Sequence, residues 1–345
     1  VVYVTQAIYD AEEMLSLVSD LGDTAVDVDV RESVTARLAR GDRLLLDGGT
    51  GSELQRRGIN VSKGVSSDDG GTLGAWSATA MVDAPEVVRA IHEDYLRVGA
   101  DIITANSYNT NRGQLALVGA ADKMEEFSRL AVDLAVEARD HMKLNAYVAG
   151  AIAPTTRFPR GWDPKRVPST ADLIRDWGDQ AAVLSAAGAD LVLIESMWAI
   201  SQVLAALEAA HTTGLPVFLG IHPTADGTMS SGETMQELIS ALSGVEPAAI
   251  LLMCGPPEHI SATLPSLRQA FDGPVGGYAN IGYRRDSDPH DLQFHAIDIG
   301  SNTPRGYARV CEDWLRMGAQ IIGGCCATTP EHIAALHPLL TEPAS

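Results

Sequence analysis

Three of the four cysteines stand where short apolar runs end. Cys254 closes one run, and Cys325 and Cys326 follow Gly323-Gly324 at the end of another. The fourth, Cys311, falls inside a helical stretch and reads as a core residue. If those runs are strands of one sheet, three thiols share a rim, and a soft-ligand metal such as zinc, copper(I) or an iron–sulfur cluster becomes the natural occupant. A four-sulfur cluster would need one more thiol. Three protein ligands with one open position are the pattern of catalytic zinc. The glycine pair gives the backbone freedom for adjacent cysteines to ligate together. No CxxC pair supports this reading, and cysteines are common core residues, so spacing alone leaves both readings open. Other polar groups also end apolar runs: Asp47-Gly48-Gly49, Asn106-Ser107, Glu195 and Tyr278-Ala279-Asn280. Glu195 has no charged neighbour, which makes a purely structural role less natural for it.

These residues need elements to position them. One joint recurs three times: Gly99-Ala100-Asp101, Gly188-Ala189-Asp190 and Gly318-Ala319-Gln320, each between a helical stretch and an apolar run. Each reads as a helix ended by a left-handed glycine and followed at once by a buried strand. Eight short strands are expected, near 43–47, 101–105, 146–150, 190–195, 216–221, 248–254, 273–279 and 319–324. Helical patterns separate most of them, and the architecture predicted is a (β/α)8 TIM barrel with an N-terminal extension. An open doubly wound sheet is the alternative, but the first strand runs into DGGTGSEL rather than the spaced glycines of a dinucleotide loop. In a barrel the active site lies at the C-terminal ends of the strands, where the residues above are expected.

The domain division predicted is an arm over 1–30 and a barrel over 31–345. Within the arm, 11–18 suits a short helix and 24–30 (TAVDVDV) alternates like an exposed strand. No chemistry is visible there, and packing on the barrel or a partner subunit is expected, so a homo-oligomer is plausible. The 345 residues are 46% hydrophobic and 20% charged, with a net charge of −20 and a pI of about 4.7. A large core is affordable and disorder is excluded. An acidic surface without a basic patch argues against nucleic acid as a partner. Every long apolar stretch is interrupted by charge, so no membrane span is expected. The first ten residues lack a signal-peptide pattern. So few cysteines do not make a disulfide framework, and the reading is a cytoplasmic protein with reduced thiols.

LLLDGGTGSELQRRG, GADIITANSYNTN, the single Cys254 and IIGGCCATTPEHI together resemble the homocysteine S-methyltransferase family. That family includes S-methylmethionine- and betaine-dependent enzymes and the homocysteine module of cobalamin-dependent methionine synthase. The resemblance runs from about Arg43 to Leu340. It implies a (β/α)8 barrel and Zn2+ held by Cys254, Cys325 and Cys326. In such enzymes the metal activates the homocysteine thiol, whose ordinary pKa of ~8.5 leaves little thiolate at neutral pH. The thiolate then takes a methyl group from a positively charged sulfur or nitrogen.

The resemblance extends to the other site residues. Asp47 and Glu195 are expected to face the homocysteine ammonium, and the amides of Gly48 and Gly49 its carboxylate. Asn106 and Ser107 are candidates for substrate contact or for tying a strand end. Asn280 matches an asparagine linked in the methionine synthase branch to the metal's fourth position; a turn before Gly282 is the simpler role. Trp76 matches a tryptophan in a methyl-donor loop, where its face would attract an onium cation. Two departures stand out: Met253 replaces the usual asparagine before the first zinc cysteine, and Ser196 a frequent threonine after the glutamate. The segment 62–74 (SKGVSSDDGGTLG) reads as an insertion just before Trp76. With about 40 residues outside one barrel, a small onium donor is expected, a sulfonium such as S-methylmethionine before a betaine-like compound. Another thiol acceptor, or a catalytically silent zinc-binding scaffold, would be the competing readings.

Overall fold

The fold, taken from a computed structural model, is described for residues 31–61, 75–155, 163–283, 295–296 and 302–341. The expected arm (1–30) and insertion (62–74) lie outside the described residues. By its contacts the chain divides into Val1–Ser33 and Val34–Ser345; the second unit is the barrel.

Eight strands run parallel: β1 (Leu44–Leu45), β2 (Ile102–Thr104), β3 (Tyr147–Ile152), β4 (Leu191–Met197), β5 (Val217–Ile221), β6 (Ala249–Met253), β7 (Val275–Ala279) and β8 (Ile321–Gly324). Their order is β1-β8-β7-β6-β5-β4-β3-β2. A parallel bridge from Leu46 to Ile102 joins the two ends of that order and closes the barrel. Helices separate successive strands, among them Pro85–Arg97, Met124–Met142, Thr170–Ala186 and Pro304–Arg316.

The strands read as continuous apolar runs because both faces are buried, and the period of two sorts them. Leu44, Leu46, Leu191, Leu193, Phe218, Ala249, Leu251 and Met253 belong to one cluster, which fills the barrel. Leu45, Val192, Ile194, Leu219, Ile250 and Leu252 belong to the other, which packs against the helices.

The recurring joint is built as expected. Gly99, Gly188 and Gly318 have φ of 101°, 100° and 97°. Around Gly99, its N–H reaches the Leu96 carbonyl and that of Ala100 reaches Tyr95, and the same pair of bonds recurs at the other two joints. These bonds satisfy carbonyls the helix end would otherwise leave open. Asp101 and Asp190 then bond back to the preceding strands, accepting from the N–H of Leu45 (2.9 Å) and of Val148 (2.7 Å). This lacing lies at the strands' N-terminal ends and leaves the opposite rim free for chemistry.

Candidate active site

The opposite rim concentrates backbone strain. Ser196, Cys254 and Ala327, none of them glycine, have φ of 55°, 57° and 67°. Such conformations disfavour side chains and persist where surrounding contacts hold them. Cys254 follows β6, and Cys325 and Cys326 follow β8. Their three sulfurs lie within 4.8 Å of one another. Tetrahedral ligation at ~2.3 Å per bond separates sulfurs by roughly 3.8 Å, so the cluster has the dimensions and the donor type for one zinc-like ion. Thiol hydrogen bonds from Cys325 and Cys326 hold the Cys254 thiol well below its ordinary range. Hydrogen bonding to Cys254 in turn holds Cys325 and Cys326 high. Cys311 is buried in its helix, and burial pushes its thiol up, as expected of a core residue.

The two acidic residues are buried. Glu195 continues the inward-facing set Leu191, Leu193 of β4. β4 does not end there: it reaches Met197, with an irregular register between Ile194 and Met197. Burial pushes the Glu195 carboxyl up to about 8, against a hydrogen bond donated by the Tyr278 hydroxyl to Oε1 at 3.0 Å. Asp47, just after β1, is pushed up to about 7 by burial, opposed by hydrogen bonds from Thr104. Its Oδ2 accepts from the Thr104 N–H at 2.7 Å and its Oδ1 from the Thr104 hydroxyl at 2.9 Å. Among the described residues no cation pairs with either acid.

The turn after Asp47 is locked to the turn carrying the cysteines. Gly324 N–H donates to the Asp47 carbonyl, and Gly49 N–H to Thr328 Oγ1 at 3.1 Å. Thr328 in turn donates to the Cys325 carbonyl at 2.6 Å. A Cβ on Gly49 would lie 2.5 Å from that carbonyl, so only glycine fits. The N–H of Gly48 makes no hydrogen bond among the described residues.

Other expected site residues are engaged by the protein itself. Asn106 exchanges two hydrogen bonds with Ser77, at 2.6 and 3.0 Å. Ser107 Oγ both donates to the Ala151 carbonyl and accepts from the Ala151 N–H, at 2.9 Å each. Both fasten the end of β2. Asn280 Oδ1 accepts from Gly282 N–H at 3.0 Å, as a turn residue does. Trp76 is 8% exposed. Its indole nitrogen lies 2.0 Å from where a Cβ on Gly51 would be, so the ring lies flush on that glycine.

Several roles escaped the sequence reading, which placed Tyr278 at a strand end without a partner. Thr104 and Tyr278 hold the two acids, and Thr328 ties the seam. Trp198 stacks on His222, with ring centroids 5.0 Å apart and an interplanar angle of 19°. The pair follows β4 and β5, and His222 acts electrostatically on Cys254. The inward alternation of β4, β6 and β7 was the signal that could have paired Tyr278 with Glu195. Nothing local marked the aromatic pair.

The family model described as homocysteine S-methyltransferase matches residues 44–340. Homocysteine S-methyltransferase 3 of Zea mays is 26% identical over 327 residues, covering 88% of this chain and 92% of the relative. Selenocysteine Se-methyltransferase of Brassica oleracea var. italica is 26% identical over 325 residues, with 88% and 90% covered. Among solved structures, the metallated form of the homocysteine methyltransferase MmuM from Escherichia coli superposes with a TM-score of 0.73 at 25% identity, covering 88% of this chain and 98% of that one. The match begins at β1 and ends beyond the last strand, so it takes in every strand that carries a rim residue, and the chain belongs to the homocysteine S-methyltransferase family.

Proposed function

We propose that this enzyme transfers a methyl group from a small sulfonium donor such as S-methylmethionine to the thiol of homocysteine, giving methionine, with Zn2+ held by Cys254, Cys325 and Cys326. The observation that carries this reading is three sulfurs within 4.8 Å of one another on a rim shared with the buried carboxyl of Glu195. One end of an amino-acid thiol suits each. Bound to the three cysteines, zinc supplies a Lewis acid that lets a thiol ionise at neutral pH.

The chain's own residues do the rest. Glu195, aided by Asp47, receives the substrate ammonium, and the Gly48 N–H receives its carboxylate in the turn that Gly49 keeps tight. Asn106 and Ser107 keep the end of β2 in place beside it. Asn280 shapes the turn after β7, which the Ile281 N–H ties to the Cys326 carbonyl. The sulfur attacks the methyl carbon of the donor, the carbon–sulfonium bond breaks, and its electron pair leaves with a neutral sulfide. The acidic protein draws a cation to the mouth, and Trp76 offers a ring face. The whole site belongs to the barrel, 31–345, with 1–30 as an arm. Among the described residues no helix is long and apolar enough to cross a membrane. Four free cysteines suit a reducing, cytoplasmic setting.

The test is methionine formation from homocysteine with S-methylmethionine, betaine and methyltetrahydrofolate in turn, alongside metal analysis of the protein. Zinc near one per chain and turnover with the sulfonium are expected. Turnover with methyltetrahydrofolate alone, or none with any donor, would overturn the reading.

A further inference from the structure

Met253 stands just before Cys254 at the end of β6, and its surroundings show what it does. The side chain is 1% exposed. Its sulfur accepts the Ser196 N–H at 3.0 Å and lies 2.9 Å from the Tyr278 hydroxyl. That hydroxyl also reaches Glu195 Oε1 at 3.0 Å. Met253 and Tyr278 are register partners on β6 and β7. Both reach across β5 toward β4 because Gly220 has no side chain in their way. A Cβ there would lie 2.8 Å from the Met253 sulfur and 3.1 Å from the Tyr278 oxygen.

The arrangement fixes Glu195 from two directions. Tyr278 takes Oε1 and leaves Oε2 for a substrate. Met253 takes the N–H of Ser196, the next residue, whose left-handed backbone (φ 55°) needs such an anchor. Met253 is also bonded through its own peptide to Cys254. One side chain therefore spans the distance between the group that would meet an ammonium and the sulfur cluster that would meet a thiol.

We infer that Tyr278 and Met253 are positioning residues that set the separation between Glu195 and the cysteine cluster, and so select acceptors by the number of carbons between ammonium and sulfur. This rests on the proposed function and adds to it the residues that read acceptor length. Two methylenes separate the sulfur-bearing end of homocysteine from its α-carbon; cysteine has one. An acceptor one carbon short cannot satisfy both ends when the separation is rigid.

The experiment compares binding of methionine and of S-methylcysteine, its one-carbon-shorter homologue, by calorimetry to the metal-loaded protein, together with kcat/KM for homocysteine and cysteine. Tyr278→Phe removes the hydroxyl that orients Glu195. Met253→Leu keeps an apolar side chain of similar volume and removes the acceptor for Ser196. Wild type is expected to prefer methionine at least tenfold. Each variant should lose about tenfold in methionine affinity and less for the shorter ligand, so that the preference narrows at unchanged metal content. Unchanged methionine affinity in both variants, or parallel weakening of both ligands, overturns the inference. A wild type that methylates no thiol overturns the functional reading instead.

Discussion

If Glu195 meets the substrate ammonium as proposed, its buried carboxyl makes ligand binding a proton-coupled event whose size follows from that burial. With its pKa pushed up to about 8, Glu195 is roughly nine-tenths protonated at pH 7, and ionising it there to meet an ammonium costs about 1.4 kcal/mol. Affinity should therefore rise about fivefold between pH 7 and pH 8, below the range where methionine's own ammonium titrates, and binding at pH 7 should release close to one proton. Asp47, pushed up to about 7, adds up to about half a proton if it ionises too. Methionine is the suitable probe because, unlike homocysteine, it has no thiol proton to confuse the count. Calorimetry at pH 7 in buffers of different ionisation enthalpy reads the proton release directly. Glu195→Gln keeps the shape and a hydrogen-bonding oxygen for Tyr278 but never ionises. Losing the charge-assisted bond costs ~1.5–3 kcal/mol, about ten- to a hundredfold in affinity at pH 9, and most of the released proton should vanish with it. Binding heats independent of buffer in the wild type, or a Glu195→Gln protein that still releases a full proton, would refute the reasoning.

Further outcomes are expected. Cys326→Ala should lose zinc and activity together, since two thiolates and water do not reproduce the site; full metal content in that variant would disprove the ligand assignment. The raised carboxyls also predict a pH trend in stability. Their folded pKa values exceed their unfolded ones (3.8 and 4.5), so their effect is neutral below about pH 4 and grows unfavourable as pH rises to about 8. Without metal or ligand, Glu195→Gln should raise Tm relative to wild type by more at pH 8.5 than at pH 5; an equal change at both would contradict the burial argument. For the donor, Trp76→Ala should raise KM for S-methylmethionine and leave that for homocysteine unchanged, because a cation–π contact contributes ~0.5–2 kcal/mol. Trp198→Ala is the comparison: a larger donor effect there would move the onium to the Trp198–His222 pair.

The architecture was legible because its signals are local. Glycine joints at 99, 188 and 318 mark helix ends by backbone sterics, and doubly buried strands leave unbroken apolar runs. All eight strands lie within a few residues of expectation. The cysteine rim was legible for the same reason, since strand ends fix where Cys254, Cys325 and Cys326 emerge. The irregular end of β4 was not. Ser196 adopts a left-handed backbone without being glycine, and its anchor is a methionine 57 residues away. Likewise Asp47 depends on Thr104 and Glu195 on Tyr278, pairs made by closing the barrel. Asn106 and Asn280 show the converse, polar residues at the right rim whose hydrogen bonds serve the protein itself, Asn106 with Ser77 and Asn280 with the Gly282 N–H.

Barrel closure has a kinetic consequence. Most strand pairs join neighbours in sequence, whereas the β1–β8 pairing joins Leu44 to Ile321. Closing a loop of ~280 residues instead of ~50 costs about 1.5 kcal/mol more in chain entropy, and β1 brings only two strand residues to this seam, where the Leu44 and Leu46 N–H groups donate to the Gln320 and Ile322 carbonyls. This seam should be the last to form on folding and the first to part, so amide protons of Leu44 and Leu46 should exchange ahead of those in β4 and β5. The turn of Asp47, Gly48 and Gly49 lies on one side of the seam and the adjacent cysteines on the other. A substrate gripped from both sides would act as a clasp across the seam that closes the longest loop, slowing its opening for as long as it stays bound.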